Sequence, residues 1–313
     1  MTTTHTSGHL NILRAGPLAL LQDSGRFGVR RLGITQGGPA DLHAWAWANR
    51  LLDNPWGNSV LEITLGGLEL QAEHDCQIAI CGGDLGATID QQPAPLWQTI
   101  ILRRHQILRF RLPISGVRAY LAVKGGFDAA MILGSRSCVT RDGLGGHKGD
   151  GSKIGQDDKL YFAAHTPDSL PARQLPESEH PDYSQQALLD LIPGAQIAEF
   201  RGDSLYQTFN HGWQVDTRAD RMGIRLKGPV LQCHMKTMIS EGISLGAVQV
   251  PPDGQPIVLL NDRQTIGGYP RLGTLTPLAC ARLAQCPPGH SVRFRATGLL
   301  AAQAEQRRFR SGF

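Results

Sequence analysis

Aromatic residues, charge of one sign and long apolar runs are all in short supply in this chain, and each shortage removes a class of function. Aromatics make up 6% of the 313 positions, and the formal net charge is only +4. Charge that small, scattered and without an aromatic platform, argues against a nucleic-acid surface. No stretch is long and apolar enough to span a bilayer. The opening residues, MTTTHTSGHLNILRAG, lack a basic start followed by an apolar core, so no secretory signal is expected and the chain is read as cytoplasmic. Cysteines stand at 76, 81, 138, 233, 280 and 286, with no Cys-x-x-Cys pair. Reduced, buried thiols are the expectation, and no metal site. His74-Asp75-Cys76 and Cys233-His234 set ligand types side by side, but neighbours on a strand point to opposite faces.

What the chain has instead is glycine and proline, 37 and 19 residues, separating short runs of Val, Ile and Leu. That punctuation predicts mainly β structure. A length of 313 residues with 41% hydrophobic residues suits two domains with ordinary cores. Helices are few: Asp41 to Leu52 is one, Thr276-Pro277 offers an N-cap and first-turn proline for a second that must stop by Cys286-Pro287, and Ala301 to Arg308 is a third. Arg outnumbers Lys, which suits bidentate recognition of carboxylate or phosphate at one or two places.

The densest set of polar groups lies in Ser240 to Pro270, SEGISLGAVQVPPDGQPIVLLNDRQTIGGYP. Ala247 to Val250 and Pro256 to Leu260 read as short strands, and Pro251-Pro252-Asp253-Gly254 and Gly267-Gly268-Tyr269-Pro270 as tight turns. Glu241, Gln249, Asp262, Arg263 and Thr265 then fall at or beside strand ends, where a rigid scaffold presents polar groups on short loops.

The same stretch answers to an earlier one. Ile63-Thr64-Leu65-Gly66-Gly67-Leu68-Glu69-Leu70 aligns without gaps to Ile243-Ser244-Leu245-Gly246-Ala247-Val248-Gln249-Val250, with Glu62 and Glu241 just upstream. Arg26-Phe27-Gly28-Val29-Arg30 and Arg221-Met222-Gly223-Ile224-Arg225 precede the two copies, and Asp90-Gln91-Gln92-Pro93 and Asp253-Gly254-Gln255-Pro256 follow them. Three echoes in one order indicate a duplicated unit. The boundaries expected are a first unit over 1–165, a proline-rich acidic linker over 166–190 and a second unit over 191–313. The glycine-rich passage Leu133 to Gly151 reads as a long loop.

Familiar motifs fail on context. Gly242-Ile243-Ser244-Leu245-Gly246 matches Gly-x-Ser-x-Gly, but a nucleophile elbow needs a helix after the serine, and here another strand is expected. Gly143 to Gly151 fits neither Gly-x-x-x-x-Gly-Lys-Ser/Thr nor Gly-x-Gly-x-x-Gly. Met235-Lys236 lacks the flanking residues of a biotin-accepting lysine.

Taken together, Gln22-Asp23-Ser24-Gly25-Arg26, Leu61 to Gly67, Arg118 to Val123, Gly134-Ser135-Arg136-Ser137, Asp220 to Leu226 and Ser240 to Pro270 resemble the biotin-dependent carboxyltransferase A/B-subdomain family. The resemblance implies a mainly β fold, two cyclophilin-like β-barrel units in tandem with a few short helices. It also implies work as one component of an ATP-dependent 5-oxoprolinase, which opens the lactam of 5-oxoproline to L-glutamate with partner subunits A and B, ATP being handled at the level of the complex. Two rivals accompany it: carboxyl transfer from biotin to urea or another small amide, and regulation through a KipI-like partner. On this reading Glu241 and Asp262 serve as general base or position water. Arg221 and Arg263 hold a carboxylate or phosphate, and Gln249, Thr265 and Tyr269 orient amide groups. Amide substitutions at Glu241 and Asp262 are then expected to slow turnover without unfolding.

Overall fold

The structure, a computed structural model, describes residues 7–235 and 238–313. It divides into two compact units: one comprises the chain up to Phe27 and Gly37–Asp182, the other Gly28–Gln36 and Tyr183–Phe313. Each has its own apolar cluster.

The first unit contains β1 (Ser7–Arg14), β2 (Leu18–Gln22), α1 (Leu42–Leu51), β3 (Val60–Thr64), β4 (Glu69–Ala72), β5 (Cys76–Asp84), β6 (Thr88–Ile89), β7 (Gln92–Pro93), β8 (Thr99–Leu102), β9 (Ile107–Arg109), β10 (Ser115–Val123) and β11 (Lys159–Ala163). They form a six-stranded sheet, β11-β1-β4-β9-β6-β7, and a five-stranded sheet, β2-β3-β10-β5-β8. Strand β11 alternates exposed and buried residues, as a strand with one wet face must. Residues Cys76 to Gly83 of β5 and Val117 to Val123 of β10 are buried continuously, because α1 packs across the face that water would otherwise reach. Helix α1 begins where the sequence predicts, with the Asp41 carboxylate accepting from the Ala44 N–H at 3.0 Å.

The second unit contains β12 (Ala187–Pro193), α2 (Gly202–Asn210), β13 (Trp213–Val215), β14 (Gly223–Lys227), β15 (Glu241–Gly242), β16 (Ala247–Gln249), β17 (Ile257–Leu259), β18 (Ile266–Gly267), β19 (Arg271–Leu275), α3 (Pro277–Ala284), β20 (Ser291–Ala296) and α4 (Leu299–Ser311). Seven strands close a barrel in the order β12-β19-β16-β17-β14-β13-β20, and the parallel pairing of β20 with β12 completes it. Closure removes the sheet edges. The pair β15 and β18 stands as a separate ribbon.

The mainly β architecture therefore matches the expectation. Barrel closure is seen in the second unit, whereas the first carries its strands in two sheets. The echo has a structural counterpart in backbone conformation: Gly66 and Gly246, aligned by sequence, have φ of +74° and +79°. A Cβ at Gly66 would lie 1.6 Å from the Arg111 carbonyl oxygen, and one at Gly246 would lie 2.7 Å from that of Leu275. Both turns thus need glycine twice over. Helix α3 starts on Thr276, whose hydroxyl accepts from the Ala279 N–H, and α4 is longer than the expected Ala301 to Arg308. Helix α2 is an addition to the three helices expected from the sequence. Its inward positions include Ser204 and Thr208, buried polar residues that break the apolar period; the Thr208 hydroxyl donates to the Ser204 carbonyl at 2.8 Å.

Candidate functional site

The ribbon β15–β18 organises the richest group of polar contacts in the second unit. Glu241 pairs with Gly267 and Gly242 with Ile266, and the Ile243 N–H extends the ladder by donating to the Thr265 carbonyl at 3.0 Å. Two arginines converge on the same short backbone. Arg263 donates from Nε to the Ile243 carbonyl at 3.2 Å, from a terminal nitrogen to the Leu260 carbonyl at 3.0 Å, and from the other to Gln36 Oε1 at 3.3 Å. Arg30 donates to the Ile243 carbonyl and, at 3.2 Å, to the Thr265 carbonyl. The acceptors are neutral oxygens in every case.

Burial first, and then the nearby Arg30 cation, pull the Arg263 guanidinium down to about 10; burial also lowers Arg30. Both remain cations at neutral pH. Beside them opens a cleft of 590 Å³ lined by Arg30, Arg31, Ile243, Ser244, Thr265, Ile266 and two glycines, with no acidic residue in its wall. The volume is in the range of small-molecule sites. Arg31 is exposed.

The anticipated residues distribute around this ribbon unequally. Thr265 lines the cleft, and Arg263 lies behind its wall, 3% exposed. Glu241 precedes cleft-lining Gly242, is half exposed, and pairs with Arg271, which also donates to the Gly242 carbonyl at 3.1 Å. Asp262 and Arg221 are buried against each other. Arg221 Nε and a terminal nitrogen reach the two carboxylate oxygens at 2.9 and 3.0 Å, the bidentate fork that guanidinium geometry favours. Gln249 is buried in the barrel wall on β16, and its Nε2 finds no acceptor among the described residues. It lies against Gly267, where a Cβ would come within 2.8 Å of that nitrogen. Tyr269 is exposed on the turn after β18 and is not among the residues lining the cleft. Lys236 lies outside the described residues.

Other motifs resolve in the same way. The Ser244 hydroxyl sits 3.2 Å from that of Thr274, and strand β16 rather than a helix follows it, so it forms no nucleophile elbow. The Gly143 to Gly151 loop does not fit a phosphate cradle: Lys148 is held by Asp158 at 2.7 Å, and the next regular element is strand β11. Among the described residues no group of three or more His, Cys, Asp or Glu side chains is arranged to hold a metal ion, and no helix is long and apolar enough to cross a membrane.

A family model described as carboxyltransferase domain, subdomain A and B, matches residues 32–296. The chain belongs to that family. It is 35% identical over 308 residues to the C subunit of 5-oxoprolinase from Escherichia coli K12, covering 96% of both chains. It is 32% identical to the protein of the same name from Haemophilus influenzae, covering 96% of this chain and 94% of that one. Among solved structures, the urea amidolyase of K. lactis superposes with a TM-score of 0.89 at 26% identity, and the urea carboxylase of Kluyveromyces lactis gives the same values. Each of these covers 99% of this chain, which spans only 20% and 29% of the respective partners. Arg30 and Arg31 fall just upstream of the span the family model matches.

Arg30 is the main residue that sequence reading passed over. It was visible as the last member of the Arg-x-Gly-x-Arg echo, but nothing in its neighbours signals that it joins a ribbon more than 200 positions away. Gln36 and Arg271, which complete the hydrogen bonding of Arg263 and Glu241, carried no signal at all.

Proposed function

We propose that this chain is the C-type subunit of an ATP-dependent 5-oxoprolinase, acting with A- and B-type partners to hydrolyse the lactam of 5-oxoproline to L-glutamate. The observation that carries the reading is end-to-end similarity. The E. coli and H. influenzae proteins match this chain over almost their whole length, whereas the putative urea carboxylase of Emericella nidulans, at 32% identity, is matched over only 25% of its own. A chain that corresponds to a whole subunit, rather than to one part of a large enzyme, is read as a subunit.

In the reaction, water adds to the lactam carbonyl carbon, the C–N bond breaks, and the ring nitrogen leaves as the amine of glutamate. A lactam is a poor electrophile, so transfer of the terminal phosphoryl group of ATP to its oxygen, releasing ADP, would make that attack feasible, and the phosphate leaves as inorganic phosphate as the free carboxylate of glutamate forms. The Gly143 to Gly151 loop of this chain is not built for phosphates, so the activating step is assigned to a partner. On this chain, Glu241 is the best placed base: it is half exposed and beside the cleft, with Arg271 to orient it. Thr265 and Gln249 are assigned to the amide, Arg263 to holding the Ile243 carbonyl and the cleft wall, and Tyr269 to the rim. Asp262 and Arg221, which neutralise one another, are assigned to positioning.

Carboxyl transfer to urea or another small amide is the second reading, favoured by the K. lactis similarities; biotin would then arrive on a carrier in another chain. The deciding assay mixes the purified chain with A- and B-type subunits and follows ATP-dependent release of glutamate from 5-oxoproline. Activity in the mixture and not in the chain alone is expected, with Glu241→Gln lowering kcat at least about tenfold. A complex that forms but releases no glutamate would reject this reading in favour of carboxyl transfer or regulation.

A further inference from the structure

We propose that Arg30 and Arg31, with the Ser244 hydroxyl, form a carboxylate subsite in the cleft beside β15–β18, selecting small cyclic amides that carry a carboxylate over neutral ones. The inference deepens the proposed function and rests on it for the class of substrate; the subsite itself rests on the geometry of the second unit.

Three observations carry it. The first is imbalance: the cleft wall holds two arginines and no acid. The acids nearest in sequence to the wall are engaged elsewhere, Glu241 by Arg271 and Asp262 by the bidentate Arg221. The second is the nature of the contacts. Arg30 and Arg263 share the Ile243 carbonyl, and every oxygen to which they donate is neutral; Asp262, whose charge is felt at Arg263, is itself forked by Arg221, so the pair of guanidiniums is only partly compensated. The side chain of Arg31 makes no hydrogen bond or ion pair among the described residues. Neighbouring cations raise the local potential, and in a partly desolvated cleft an incoming anion relieves it. The third is fixation. Bonds to the Ile243 and Thr265 carbonyls hold Arg30, and Arg263 grips Gln36 on the same Gly28–Gln36 segment. A cation held in place loses little freedom when it binds, which is what a specific subsite needs.

The cleft is small, and Ser244 and Thr265 supply neutral hydrogen-bonding groups beside the cations. That combination suits one carboxylate next to an amide. Urea carries no charge and gains less from two arginines than a lactam that bears a carboxylate.

The test is ligand-observed NMR titration of the purified full chain with 5-oxoproline, with 2-pyrrolidinone, which is the same lactam without its carboxylate, and with inorganic phosphate. 5-Oxoproline is expected to bind at least about tenfold tighter than 2-pyrrolidinone. Arg31→Gln is expected to remove most of that difference while leaving the melting temperature and 2-pyrrolidinone binding unchanged. Arg30→Gln should do the same with some loss of stability, since it also removes two backbone contacts. Equal binding of the two lactams, an Arg31→Gln variant that binds like the parent, or phosphate displacing 5-oxoproline at equal concentration would each overturn the subsite. The reconstituted mixture separates this from the functional reading. Turnover with an unchanged KM in Arg31→Gln sinks the subsite alone; Arg31-dependent binding without turnover in the mixture sinks the 5-oxoprolinase reading and leaves the subsite.

Discussion

Asp262 and Glu241 look alike in the sequence, two acids at strand ends, but their surroundings assign them different consequences. Asp262 is buried and meets the Arg221 fork with both oxygens. Replacing it with Asn leaves a buried guanidinium without its counter-charge, a change that typically costs about 3–5 kcal/mol. Asp262→Asn is therefore expected to lower the urea midpoint of the second unit markedly, which departs from the simple expectation of a slower but equally stable protein. Glu241→Gln, half exposed, is expected to change stability by less than about 1 kcal/mol. Chemical denaturation of both variants checks the contrast. The sequence made the residue types legible but not their pairing: Arg221 and Asp262 are 41 positions apart, and Arg263 stands next to Asp262 yet takes none of its hydrogen bonds.

At the scale of elements, the turns carry more information than the strands. Gly246 combines φ of +79° with a close approach to the Leu275 carbonyl and to Cys280 Sγ. Gly246→Ala must strain the backbone and push β19 or α3 away, so a loss of at least about 1–3 kcal/mol is expected, with a lower thermal midpoint as the readout. Gly298→Ala, at the N-cap of α4 with φ of −86° and open space around the missing Cβ, is the control and should shift it far less. In the sequence Gly246 stands out only through its echo of Gly66, since its close approach to Leu275 and Cys280 is made across the fold. The ribbon β15–β18 was not legible, since two residues on each side give no periodicity, and α2 was hidden by the polar side chains it turns inward.

For the molecule as a whole, the thiols supply a readout of folding. Five of the six cysteines are buried, and Cys233 is intermediate. A thiol reagent should therefore react first with Cys233 in the native protein, and with the other five only on unfolding. Burial pushes the Cys76 and Cys280 thiols up to about 12 from an ordinary value near 9, and drives Cys81 and the Tyr120 phenol upward as well. The sign follows directly. Between pH 9 and 12 the unfolded chain releases protons that the folded chain keeps, so stability is full below pH 9 and falls as pH rises. Denaturant midpoints measured from pH 8 to 11 should decline, and Cys280→Ala should make the decline shallower. At this scale the echo points to two units but not to the place of Gly28–Gln36, which packs with the second compact unit although chain continuity puts it within the first.

That borrowed segment sets a timetable. Arg30 reaches its acceptors on Ile243 and Thr265 across 213 and 235 positions of chain. During synthesis Arg30 leaves the ribosome more than 200 residues before its acceptors do. A nascent chain that stops short of Thr265 holds the residues of the first unit but no cationic cleft, so the carboxylate subsite proposed there cannot form until Thr265 has been made.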